Sequence, residues 1–201
     1  MADQVAIESL PFALAWHGEP VGFGTGHDSL WAEAGGPTDL FVDPGTRVSY
    51  LSASRLVAQV GGDFTLSARV SVGFRSVFDA GALLLWIDED RWAKVCLELS
   101  TQGRPTVVSV VTRGVSDDCN SFATERDDMW LRLARLGTAY AFHASVEGRQ
   151  WELIRYFSLE AGAGWPRVGF LVQSPRGAGC TARFAEISFV PTRLADIRSG
   201  D

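Results

Sequence analysis

The sequence predicts an all-β protein, a sandwich or jelly roll of two antiparallel sheets, and three observations carry that prediction. Apolar and polar residues alternate with period two from about Phe64 to Val190. Gly, Pro and Asp interrupt the alternation at short intervals, bounding runs of ordinary strand length. No long segment places its apolar residues at the ~3.6-residue spacing of a helix. Regular short strands of this kind pack as two sheets face to face.

Taken in order, nine runs read as strands: DFTLSARVSV, AGALLLWI, RWAKVCLELS, TVVSVVTRG, MWLRLARLG, AYAFHASV, WELIRYFSL, RVGFLVQS and ARFAEISFV. Between the second and third, IDEDRW sets three acids at a polar hairpin tip. SVEGRQW offers Gly148 where a tight turn demands positive φ. The first 60 residues, rich in Gly and Pro, are expected to hold edge strands and ordered loops, and GFGTGH (Gly22 to His27) is read as a loop. No linker or internal repeat divides the chain. We therefore expect a single jelly-roll domain over residues 1–195 and a short flexible tail over 196–201.

At 201 residues, 46% apolar and 21% charged, the chain has the composition of a folded domain with a sizeable core. Its net charge of −6 and lack of any basic run exclude nucleic acid and anionic membrane surfaces as expected partners. No apolar run reaches the ~18–20 residues of a membrane span, and the first residues do not read as a secretory leader. Cys96, Cys119 and Cys180 fit neither a disulfide framework nor a zinc set, so free thiols in the cytoplasm are expected. The three histidines, His17, His27 and His143, lack metal-ligand spacing. Asp88, Glu89 and Asp90, or Asp117 and Asp118, could supply oxygen ligands to Ca²⁺, but both groups read as solvated acidic turns first. No metal and no cofactor are expected.

One residue stands out. Of the 18 basic residues 17 are arginine, and the single lysine, Lys94, sits in the middle of a strand. Alternation puts Ala93, Val95, Leu97 and Leu99 on one face and Trp92, Lys94, Cys96 and Glu98 on the other. The first set is a core face. Lys94 and Glu98 lie about 13 Å apart along the strand at ~3.3 Å per residue, too far for a direct ion pair. A sheet face joining these two to Trp92 and to His143 or Arg155 would form a polar groove suited to sugar hydroxyls. The competing reading is a lysine whose stem packs on the sheet while its amine reaches water. The alternation of TVVSVVTRG leaves its faces unassigned.

Several ordered pieces resemble the DUF1349 family, which includes a yeast regulator of enolase: TDLFVD, DFTLSARV, FDAGALLLWIDEDRWAKVCLELS, SVVTRGVSD, HASVEGRQWELIR and VGFLVQSPRGAGCTARF. The resemblance implies a concanavalin A-like fold, and it adds Thr112, Ser116 and Asp117 to Lys94 and Glu98 as recurrent polar positions. Asp118 stands where relatives commonly have Trp, and Glu147-Gly148 where they commonly have Asp-Gly.

Three functions follow as expectations. The first is a non-catalytic module binding a carbohydrate or other small polar ligand through Trp92, Lys94, Glu98, Thr112, Ser116, Asp117, His143 and Arg155. The second is a glycoside hydrolase using Glu98 and Asp117. It is disfavoured because one carboxylate stands on the strand where two are needed at ~5–9.5 Å, and because Lys94 is expected to lower the Glu98 pKa. The third is a regulatory protein-interaction module acting on a metabolic enzyme. Open sheet edges would also allow a homodimer. Lys94→Ala is expected to change stability by less than about 1 kcal/mol, as for a residue outside the core.

Overall fold

Apolar residues recurring at every second position need a surface to cover, and here they find it between two sheets. The structure is a computed structural model that describes residues 4–162 and 164–201. Among these, 17 strands and no helix occur. They are β1 (Gln4–Val5), β2 (Leu14–His17), β3 (Gly22–Thr25), β4 (Leu30–Gly35), β5 (Leu40–Val42), β6 (Ser49–Leu51), β7 (Ser54–Gln59), β8 (Phe64–Gly73) and β9 (Ala80–Asp88). There follow β10 (Arg91–Leu99), β11 (Pro105–Arg113), β12 (Ser116–Ala123), β13 (Asp128–Leu136), β14 (Ala139–Ser145), β15 (Glu152–Ser158), β16 (Arg167–Gln173) and β17 (Gly179–Val190).

The eight-stranded sheet has the order β1-β2-β7-β16-β9-β10-β11-β12 and the seven-stranded sheet β15-β14-β13-β8-β17-β4-β3. Every strand pair is antiparallel, and β5 and β6 form a separate hairpin. This is the two-sheet sandwich that the alternation predicts, of the concanavalin A-like kind that the family resemblance implies. No helix among the described residues is long and apolar enough to cross a membrane.

β8 shows the period most plainly: Phe64, Leu66, Ala68, Val70 and Val72 are buried, with Thr65, Ser67, Arg69 and Ser71 only half-buried between them. These residues join Leu83, Leu85, Ala93, Val95, Leu97 and Val111 of the opposite sheet in the central core. Each fully buried Leu, Val or Phe contributes about 1.5–3 kcal/mol. The strands β9, β10 and β11 are buried on both faces. Their second face meets Leu40 and Val42 of the β5–β6 hairpin in a smaller cluster with Trp92, Cys96, Val108 and Val110. That hairpin settles the faces of TVVSVVTRG: Val107, Ser109 and Val111 point inward, and Val108 and Val110 lie beneath the hairpin.

Two local expectations change. Residues 22–25 are not a loop but the edge strand β3, where a Cβ on Gly24 would lie 2.5 Å from Trp31 Nε1. Glycine there makes room for the indole. The first 60 residues also supply interior strands, β7 between β2 and β16 and β4 between β17 and β3. The hairpin glycine, Gly148, has φ of 76° as the turn requires.

Candidate functional site

On the outer face of the eight-stranded sheet, register aligns Lys94 of β10 with Val110 of β11 and Asp118 of β12. One row along, Cys96, Val108 and Asn120 are aligned in the same way. Glu98 falls in the row of Ala80 and Gln173. Between this surface and the β5–β6 hairpin lies a cavity of about 580 Å³ lined by Asp39, Phe41, Tyr50, Lys94, Glu98, Asp118, Asn120 and Gln173 among others.

Lys94 is 2% exposed. Its Nζ donates to Leu40 O at 2.7 Å and to Gln173 Oε1 at 2.8 Å, so its stem leans along the strand toward the Glu98 row. Both acceptors are neutral, and no carboxylate among the described residues lies within ion-pair distance. An ammonium has three donors, and the third is left to the cavity. The charge sits mid-strand because the hairpin and β16 solvate it in place of water. Lys94 therefore holds the cover to the sheet, and the expected indifference of stability to its removal does not fit this geometry.

The carboxylates around it are out of their usual range. Burial pushes Glu98 up to about 7, outweighing the opposing pull of Lys94, with Asp118 and Asp39 adding to the rise. Lys94 does pull Glu98 downward as expected, but desolvation exceeds that attraction, which acts without direct contact, so the net shift is upward. Asp118 and Asp39 are raised by the same cause, again against Lys94. Glu98 makes no hydrogen bond to a described side chain or loop amide. Asp43, at the hairpin turn, behaves differently: its Oδ1 accepts from Gly45 N and Thr46 N, and its pKa is lowered.

The cavity wall is anchored below. Phe78 has φ of 69°, a left-handed conformation that is costly for an aromatic residue. It is held by Phe78 N donating to Leu99 O at 2.8 Å. Next to it, fully buried Asp79 accepts from Ser174 Oγ at 2.6 Å and from the amides of Arg75 and Ser76.

The other residues singled out in the sequence fall in four places. Trp92 is fully buried beneath the hairpin with Lys94 Nζ 5.8 Å from its ring centroid. Thr112 and Ser116 are buried and bonded to each other at 2.9 Å, and Ser116 Oγ accepts from Val42 N at 2.9 Å, which clips the hairpin to the sheet. Asp117, opposite Val111, points away from the cavity and pairs with Arg155 Nη2 at 2.7 Å, tying β12 to β15 across the open side of the sandwich. His143 lies on the other sheet, fully buried, its Nε2 2.8 Å from Ile197 O. Only Lys94 and Glu98 of the eight line the cavity.

Sequence reading passed over Asp39 and Asn120, and noted Asp118 without placing it in the ligand site. Strand β12 carries no apolar alternation, being exposed from Asp117 to Ser121. Its one signal was Asp118 in place of an aromatic residue. Cys96 is buried, donates to Val108 O and has its thiol pKa pushed up, which leaves it inert as a nucleophile.

Comparison with known proteins places this arrangement. The family described as Protein of unknown function (DUF1349) matches residues 16–192. A Saccharomyces cerevisiae protein, Regulation of enolase protein 1, is 27% identical over 134 residues, 66% of this chain and 67% of its own. A functionally unknown protein of known structure from Saccharomyces cerevisiae has a TM-score of 0.83 at 23% identity, covering 90% of this chain and 97% of that one. The GH43 BlXynB protein from Bacillus licheniformis has a TM-score of 0.62 at 12% identity, covering 84% of this chain but 38% of that one. The last two likenesses concern the fold.

Proposed function

The chain belongs to the DUF1349 family, and from that premise we propose that it is a non-catalytic binding module whose covered cavity takes a carbohydrate or similar small polar ligand. One observation supports this above the rest: Lys94, Glu98, Asp118 and Asn120 are brought to one cavity of about 580 Å³ whose lining also includes the aromatic residues Phe41 and Tyr50. Aromatic residues beside directional donors and acceptors suit a polyhydroxylated ring, which offers both apolar faces and hydroxyls. Lys94 offers its third N–H to a hydroxyl, and Glu98, Asp118 and Asn120 accept from others. The three unbridged cysteines support a reducing compartment, the cytoplasm.

A glycan array followed by calorimetry on the hits tests the reading. Saturable one-to-one binding that is lost in Asn120→Leu upholds it; an empty array refutes it. Incubating each bound glycan with the protein and finding cleavage would convert the module into a hydrolase.

A second reading is favoured by the 27% identity to the protein called Regulation of enolase protein 1. On it the module acts on a metabolic enzyme, with the hairpin as the contact face, where Val48 and Tyr50 are 45% and 48% exposed. Assaying purified enolase with and without equimolar chain distinguishes the two, since a sugar-binding module leaves that rate unchanged.

A further inference from the structure

On the outer side of the seven-stranded sheet, His143 of β14 stands in register with Arg132 of β13, and residues 194–201 are strapped across the pair. His143 is fully buried, with its Nε2 2.8 Å from Ile197 O. A carbonyl only accepts, so Nε2 carries the proton and Nδ1 is bare. Nδ1 has no partner among the described residues, and neither has Arg132 Nε beside it. A second proton would therefore create a buried donor without an acceptor next to a guanidinium. No described carboxylate pairs with the ring. Of the elements packed on it, β13 brings Arg132 and β15 brings Leu153, while Ala141 and Ser145 flank it on β14. The strap brings exposed Arg198 and two acids engaged in its own turn: Asp196 Oδ1 accepts from Arg198 N and Asp201 Oδ2 from Ser199 Oγ. The strap itself is lightly held. Leu194 and Ile197 are its half-buried apolar residues, and residues 191–193 leading into it are exposed.

We propose that residues 194–201 form an acid-released strap: protonation of His143 detaches them from β13, β14 and β15 while the sandwich stays folded, uncovering Arg132, His143 and Trp151. The device is independent of the ligand cavity, which lies on the other sheet. Released, the ring titrates near ~6.5 as an exposed imidazole does. Strapped, burial lowers its pKa against the opposing bond to Ile197 O, and Arg132 adds to the fall. Arg132, at about 10, stays charged throughout. Closure is therefore complete above ~6.5 and is lost as pH falls below it, by up to about tenfold at pH 5.5.

Amide hydrogen exchange followed by NMR, corrected at each pH for the intrinsic rate, tests the proposal. The amides of Gly200 and Asp201 report the strap, since both donate to Asp196 O in a turn too short to persist once released. From about pH 8 to about pH 5.5 their protection is expected to fall about five- to tenfold, with the β8 amides at least about a hundredfold more protected at every pH. His143→Gln keeps an N–H for Ile197 O but cannot titrate, and should hold the strap protection level across that range. Gly200→Ala should open the strap already at about pH 8, because Gly200 has φ of 76° and a Cβ there would lie 2.7 Å from the Trp151 Cβ. In that variant the His143 ring resonances should titrate near ~6.5, above their wild-type midpoint. Strap protection that ignores pH, or that falls equally in His143→Gln, would overturn the proposal. So would strap and β8 amides exchanging together, which is general unfolding, or equal His143 midpoints in wild type and Gly200→Ala.

Discussion

Lys94 on one sheet and His143 on the other are both nitrogen bases sealed beneath a strip of chain, and the two covers are built differently. Over His143 the C-terminal residues lay Leu194 and Ile197 onto Ala134, Leu136, Ala141 and Leu153. Beside them Arg132 stacks on Trp151 with its guanidinium 3.7 Å from the ring centroid and donates to Gly200 O. Burial lowers the pKa of His143 and brings Arg132 down to about 10. Apolar side chains meet apolar side chains there, and the face closes. Over Lys94 the β5–β6 hairpin is held by hydrogen bonds at its ends, Leu40 O to Lys94 and Val42 N to Ser116, while its polar rim keeps carboxylates beneath it. That face remains hollow. Both covers combine apolar packing with hydrogen bonds, so the difference lies in the acids lining the gap beside the hairpin, which keep that face hollow.

The comparison is broken most strongly at Lys94. Lys94→Met is expected to lose about 3 kcal/mol, because two acceptors and three acids are stranded without the ammonium. Urea unfolding measures it, and a loss below about 1 kcal/mol would return Lys94 to the surface-like role that its sequence context first implied. Glu98→Gln acts with opposite sign. An acid whose folded pKa is raised holds its proton longer in the folded state, so stability falls as pH climbs from the unfolded value near ~4.5 to about 7. Removing that charge should therefore stabilise the protein by about 1–2 kcal/mol at pH 8, a value reduced for solvent screening, and by nothing at pH 4. Thermal melts across that range decide it.

Smaller effects sharpen the contrast. Ser116→Ala leaves Val42 N without its acceptor and is expected to cost about 1 kcal/mol. Faster hydrogen exchange at Val42, with the amides of β8 unchanged, would show the hairpin opening by itself. Leu194→Ala should cost about 1 kcal/mol or less at this half-covered position and leave sugar binding untouched. His143 adds a weak pH dependence opposite to that of Glu98: its lowered pKa favours the neutral folded form, so its contribution is lost as pH falls below ~6.5. His143→Phe should remove that acid-side loss in the same melts.

Much of the fold was legible because strict alternation, as in FTLSARVSV, leaves a strand only one way to bury its apolar half. β12 was not, since an edge strand with polar groups on both sides carries no pattern. β3 and the interior β7 were hidden among glycines and short runs, β3 pairing only with its neighbour β4 and β7 pairing with β2 and with β16, whose residues lie more than 100 positions away. Of the candidate site, the shared face of Lys94 and Glu98 could be read from parity. The separation of Asp117 from Asp118 could not, because on a strand without alternation nothing says which neighbour turns outward.

By itself the sequence determined the layered all-β architecture and the side of the sheet on which the lone lysine stands, because alternation is a property of neighbouring residues. Only the tertiary structure decided that this side is roofed by residues 38–52, that the lysine is solvated by Leu40 O and Gln173 Oε1, and that Glu98 is pushed upward in pKa. Those outcomes depend on groups 54 and 79 residues away along the chain. Burial and the electrostatics that follow from it are set by what covers a residue, which no local pattern records.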